Sequence, residues 1–214
     1  MARSRSTRPT LVLLVRHGRT PTTGTTLPGR ARGLHLSPEG STQAEDAARH
    51  IAATGRRVAA VYASPLERTR ETARPIAAAA GQKVRIDRGL LECDFGDWTG
   101  RRLADLMKKP EWSTVQRHPS GFRFPGGESF VEMQSRMVGT IDRLVTAHPG
   151  ATIVAVSHAD PIKAYVAHAL GTHLDLFQRI VISPCSVTAV LHSPAGPAVL
   201  TVNATGELGS LALS

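Results

Sequence analysis

At 214 residues the chain can bury a full core within one domain, and its 41% apolar and 20% charged residues are ordinary for a globular protein. Its two cysteines, Cys93 and Cys185, cannot build a framework of bridges, and neither stands in a CxxC pattern, which argues against a zinc or redox site. The net charge of +9 comes from scattered arginines, and with 4% aromatics and no basic stretch interleaved with rings it suits small anions better than single-stranded nucleic acid.

No run approaches the ~20 apolar residues that span a membrane. The basic residues Arg3, Arg5 and Arg8 precede an apolar run at 11–15. That run is shorter than the ~7–15 residues of a secretory core, so residues 1–9 read as a loose basic tail and the expected location is cytoplasmic. The run itself, LVLLV, is wholly apolar, as in a strand covered on both faces. A Thr-, Gly- and Pro-rich loop follows over 19–36. Ser37-Pro38 then predicts a helix, with Ser as N-cap, ending near Thr54-Gly55. Residues 58–63 predict a second strand. Ser64-Pro65-Leu66-Glu67 reads as a capping box with Pro at the first helical position, for a helix running to about Ala80.

A short strand is predicted at 83–86, then an irregular stretch over 88–124 with one helix from Arg101 to about Lys109. Gly127-Glu128-Ser129 opens a long helix whose apolar residues recur at helical spacing until His148-Pro149-Gly150. An apolar strand at 151–156 and a helix begun by Asp160-Pro161 come next. Two or three strands are expected between 180 and 202. With no repeat and no linker, the pattern predicts a single three-layer α/β domain over 10–204, a mainly parallel sheet flanked by helices, with a loose tail over 205–214.

Ligands of open α/β sheets bind beyond the carboxyl ends of the strands. Three such ends carry Arg16-His17-Gly18, then Arg68 one turn beyond Ser64, then Ser157-His158. Two arginines and two histidines at one sheet edge suit a phosphoryl group. Guanidinium forks pair with its oxygens, and an unprotonated imidazole can attack phosphorus and leave again. Gly18 is expected to let the backbone approach the ligand, and the helix start at Asp160-Pro161 to favour an anion.

The motifs Leu14-Val15-Arg16-His17-Gly18-Arg19-Thr20, Ser64-Pro65-Leu66-Glu67-Arg68, Leu91-Glu92-Cys93-Asp94-Phe95-Gly96-Asp97-Trp98, Pro125-Gly126-Gly127-Glu128-Ser129 and Val156-Ser157-His158 occur in one order. In them the chain resembles the histidine phosphatase superfamily, in its phosphoglycerate-mutase-like branch. The resemblance implies that fold and assigns roles. His17 is the phosphorylated nucleophile, Arg16 and Arg68 bind phosphate, and His158 binds it and stabilises the transferring group. Glu92 is the general acid that then activates water; the residues alone do not rank it above Asp94 or Asp97. Burial beside Phe95 and Trp98 would raise its pKa as the role requires. Neither metal nor other cofactor is expected, because the cationic groups make magnesium unnecessary.

The sequence departs from the pattern in three places. Thr23 stands where the family often has a phosphate-contacting Asn, and its hydroxyl is taken as the substitute. Ala159 replaces a glycine, and Pro28-Gly29-Arg30-Ala31-Arg32 echoes a Gln-Gly-Arg-x-Asp stretch only loosely. His168 and His173 read as surface residues, while His35, His50, His118, His148 and His192 have no evident partners. Trp98 and Trp112 read as packing residues, and Arg101-Arg102 and Lys108-Lys109 as solvated faces or holders of an anionic substrate tail. The expected activity is hydrolysis of small phosphorylated metabolites, because the chain is compact between Glu92 and Gly127. A phosphoglycerate-type phosphomutase is the first alternative. A non-catalytic anion- or nucleic-acid-binding protein is the second. The expected partner is a small phosphorylated substrate, with no nucleic acid and no membrane; a homodimer is left open.

Overall fold

A computed structural model gives the fold and describes residues 8–211. The first strand, β1 (Thr10–Arg16), is buried along almost its whole length, as its unbroken apolar run requires. It pairs in parallel with β4 (Thr152–Ser157), which pairs in parallel with β2 (Val58–Ala63), and that in turn with the short β3 (Val84–Ile86). On its other side β1 pairs antiparallel with β5 (Val187–Ser193), which closes against β6 (Gly196–Ala204). The sheet order is β3-β2-β4-β1-β5-β6. The expected mainly parallel sheet is present, with an antiparallel pair at one edge.

Alternation along β1 builds the three layers, since successive side chains of a strand point to opposite faces. Leu11, Leu13 and Val15 join a core with α1 (Pro38–Ala53) and α2 (Glu67–Ala79). Val12 and Leu14 join another with α5 (Phe130–Ala147) and α6 (Ala159–Ala169). Each fully buried Val or Leu of β1 contributes roughly 1.5–3 kcal/mol relative to exposure. The irregular stretch is organised differently. All five phenylalanines and both tryptophans of the chain lie in or against a third cluster, which α3 (Leu103–Leu106) and α4 (Glu111–Arg117) help to enclose. Trp98 stacks on Trp112 with ring centres 6.4 Å apart, so both are packing residues, as expected.

Several predicted boundaries change. Ser64 does not cap α2. The helix starts at Glu67 with Leu66 at the N-cap position and no side-chain cap, because the Ser64 hydroxyl faces His158 instead. The helix expected over 101–109 shrinks to α3, and α6 begins at Ala159, which puts Asp160 inside its first turn. The C-terminal tail is not loose throughout. Leu208 and Leu211 pack into the core beside α1 and α2, and Arg56 Nε donates to the Leu211 carbonyl at 2.5 Å. Of the N-terminal tail, residues 1–7 lie outside the described residues. No helix among the described residues is long and apolar enough to cross a membrane.

Candidate active site

The carboxyl ends of β1 and β4 lie side by side, with Arg16 in register with Ser157, and the His17 amide donates to the Ser157 carbonyl at 3.0 Å. This pairing brings His17 and His158 together, with ring centres 5.2 Å apart and planes inclined by 63°. Neighbouring partners fix both tautomers. His17 Nδ1 lies 2.8 Å from the Gly18 carbonyl, which can only accept, so Nδ1 carries the proton and Nε2 keeps its lone pair. Arg68 Nη2 donates to His158 Nδ1 at 3.3 Å, so the His158 proton sits on Nε2 and points to Ser64 Oγ, 3.0 Å away. Both imidazoles are held neutral. Burial first, and then the charge of Arg68, push each well below the usual histidine range.

The two arginines are poised without full satisfaction. Arg68 is completely buried; Nη2 also donates to the Gly29 carbonyl at 2.7 Å, while Nε and Nη1 have no partner among the described residues. Arg16 donates through Nη1 to the Ile182 carbonyl at 2.6 Å and leaves Nε buried and unpaired among the described residues. Desolvation lowers the pKa of both guanidiniums, and nearby Glu92 opposes that shift. Three guanidinium nitrogens left unpaired in a buried place carry a large desolvation cost, which an oxyanion of tetrahedral shape would offset.

Glu92 is 8% exposed. Desolvation, followed by repulsion from Asp160, raises its carboxyl pKa to about 7, although the Cys93 amide bonds Oε1 at 3.0 Å. Arg16, His17, Glu92 and Thr23 line one cavity of about 390 Å³. Arg68 and His158 are absent from that lining and have no exposed surface. Thr23 Oγ1 accepts from the Thr20 amide at 2.8 Å, so its first duty is to hold the 20–23 turn. The remaining wall combines apolar Leu27, Phe95, Leu103 and Val181 with Lys163 and Gln178, a mixture that fits a small polar metabolite. Among the described residues no group of three or more His, Cys, Asp or Glu could hold a metal ion.

Gly18 serves a different purpose from the one expected. A side chain there would meet the Gly40 carbonyl at 2.5 Å, so its smallness admits α1. The Gly18 amide donates to Thr72 Oγ1 of α2 at 3.0 Å, which ties the His17 turn to both helices. Sequence reasoning also missed the frame around Glu92. Arg136 of α5 donates to the carbonyls of Gly89, Leu91 and Glu92, Arg30 Nε donates to the Glu92 carbonyl at 2.9 Å, and Glu128 pairs with both arginines at 2.8 Å. The available signal was an arginine at position 136 among the inward residues Met133, Met137 and Thr140 of α5. The histidines without evident partners mostly have them: His35 meets Glu71, His118 meets Asp175, His148 meets Tyr62 and His192 meets Tyr165. His168 and His173 are exposed, as expected.

A profile of the histidine phosphatase superfamily, branch 1, matches residues 12–205. A bifunctional protein of Mycobacterium tuberculosis is 33% identical over 202 residues, covering 94% of this chain and 55% of that protein, so the chain spans about half its length. Phosphoserine phosphatase 1 of Hydrogenobacter thermophilus is 31% identical over 186 residues, covering 85% of this chain and 87% of the relative. Among solved structures, a mycobacterial glucosyl-3-phosphoglycerate phosphatase superposes with a TM-score of 0.81 at 25% identity, covering 92% of this chain and 100% of the other. Motifs in order, fold and profile agree: this chain belongs to the histidine phosphatase superfamily, branch 1.

Proposed function

We propose that the protein is a metal-independent phosphomonoesterase that hydrolyses small phosphorylated metabolites through a phosphohistidine on His17. The observation that carries this reading is the bare Nε2 of a neutral His17 beside buried arginine N–H groups that lack partners. A nucleophile and a set of oxyanion donors are thus adjacent.

In the first step Nε2 bonds to phosphorus as the ester P–O bond breaks, and protonated Glu92 gives its proton to the departing oxygen. In the second, Glu92 as carboxylate takes a proton from water, the water oxygen bonds to phosphorus, and the Nε2–P bond breaks to release inorganic phosphate. Arg16 holds the phosphoryl oxygens from the cavity wall through both steps, Arg68 adds its charge and unpaired N–H groups from just beneath, and Thr23 lends a hydroxyl at the rim. His158 keeps Arg68 in place. That hold on Arg68, through Nδ1, is how His158 contributes to binding and stabilising the transferring group. Two relatives whose names specify phosphatases, acting on phosphoserine and on glucosyl-3-phosphoglycerate, support hydrolysis.

The test is a panel of phosphomonoesters, phosphoserine and an aryl phosphate among them, assayed for phosphate release and for 3- to 2-phosphoglycerate interconversion. Phosphate release that disappears in His17→Ala is the expected result. Interconversion without release would replace hydrolysis by transfer, and no turnover of any ester would reject the reading.

A further inference from the structure

A separate cavity of about 320 Å³ opens between the 30–32 segment, the start of α2 and Arg88, and Arg30, Arg32, Arg70 and Arg88 line it. Arg30 is neutralised by Glu128 and Asp94. The side chains of Arg32, Arg70 and Arg88 form no hydrogen bond or ion pair among the described residues, although each comes from a different segment of the chain. All three are exposed, so water screens much of their mutual repulsion, and an anion in the hollow would relieve the remainder. Among the described residues the lone carboxylate in the lining is Glu67, whose Oε2 is buried without a partner. The hollow is separate from the His17 centre. Their linings share no residue.

We infer that this cavity is a second oxyanion site, built for a phosphate-type group held by Arg32, Arg70 and Arg88. Guanidinium forks match the paired oxygens of phosphate. Glu67 adds an acceptor for an O–H retained on the ligand, as on pyrophosphate near neutral pH. The site does not depend on the chemistry proposed for His17, although Arg30 belongs to both surroundings.

Titration calorimetry of the full chain with sodium pyrophosphate tests it. The expected result is one more bound equivalent on the wild type than on Arg32→Ser/Arg88→Ser, or an affinity for that equivalent weakened about tenfold or more in the variant, since each lost charge-assisted bond is worth that factor. Hydrolysis of p-nitrophenyl phosphate is expected to be the same in both proteins, because none of the altered side chains reaches the His17 cavity. Arg74→Ser removes a cation from the exposed face of the same helix but outside the hollow, and is expected to leave the equivalent intact. Equal stoichiometry and affinity in wild type and double variant would overturn the inference, as would an equal loss in Arg74→Ser, which would reduce the effect to the general field. Should no ester be hydrolysed, the reading of His17 fails, yet the comparison of bound equivalents still decides this cavity.

Discussion

His17 and Glu92 carry opposite demands, and burial serves both. Desolvation keeps the imidazole neutral and the carboxyl protonated, so each holds the form its proposed role needs near neutrality. His17→Ala is therefore expected to abolish turnover and any acid-labile phosphoenzyme, measured by single-turnover labelling; retention of both would dismiss the nucleophile. For Glu92, kcat/KM should fall as pH rises through about 7, where the acid loses its proton, and Glu92→Gln should lose that limb together with most of kcat. Stability follows the same sign. A folded pKa of about 7, raised above the ordinary carboxyl value, stabilises the fold below that ordinary value. The contribution is lost as pH climbs through about 7. Above that pH, Glu92→Gln should be more stable than the wild type by roughly 3 kcal/mol, and below pH ~4 the gap should vanish. Urea midpoints at the two pH values check this, and a pH-independent gap would mean that Glu92 is not held protonated.

At the scale of elements, the site depends on how closely α1 approaches the turn after β1. Gly18 and Gly40 meet backbone to backbone, and a side chain on Gly40 would run into the Arg19 carbonyl. Gly40→Ala should cost roughly 1–3 kcal/mol, as overpacking does, and should lower kcat because the His17 turn must move. Normal kcat with lowered stability would show that the turn tolerates the shift. The local signals here were readable in part. Ser37 caps α1 through the Gly40 amide as its sequence indicated, and the apolar runs of β1 and β4 were legible because both faces of each strand are covered. Ser64 misled because a Ser-Pro-x-Glu string looks the same whether its hydroxyl caps a helix or holds a histidine 94 residues away. The stretch over 88–124 carried no period because an aromatic cluster, rather than a helix or strand face, organises it.

Across the whole molecule, the chain closes on itself through its last segment. Leu208 is 4% exposed and sits in the core under α1 and α2. Leu208→Ala should destabilise by roughly 2–5 kcal/mol, as deletion of a buried leucine does, and should leave activity at low temperature unchanged; thermal unfolding followed with turnover measures both. The supply of charge is likewise global. The proposed chemistry draws on arginines, so EDTA is expected to leave phosphate release unchanged, and a loss restored by added metal would contradict it.

By itself the sequence determined the layered α/β architecture, the approximate elements and the family, because hydrophobic period and ordered motifs are local properties of the chain. It also named the residues that gather at one sheet edge, since parallel strands present their carboxyl ends together. Only the tertiary structure decided which nitrogen of each histidine is bare and that Arg68 and His158 lie beneath the cavity rather than in its wall. It alone set Arg30, Arg136 and Glu128 around Glu92, and brought Arg32, Arg70 and Arg88 to one hollow. Tautomers, desolvation and unpaired donors depend on groups distant in sequence that share a low-dielectric space, and no local pattern encodes that company.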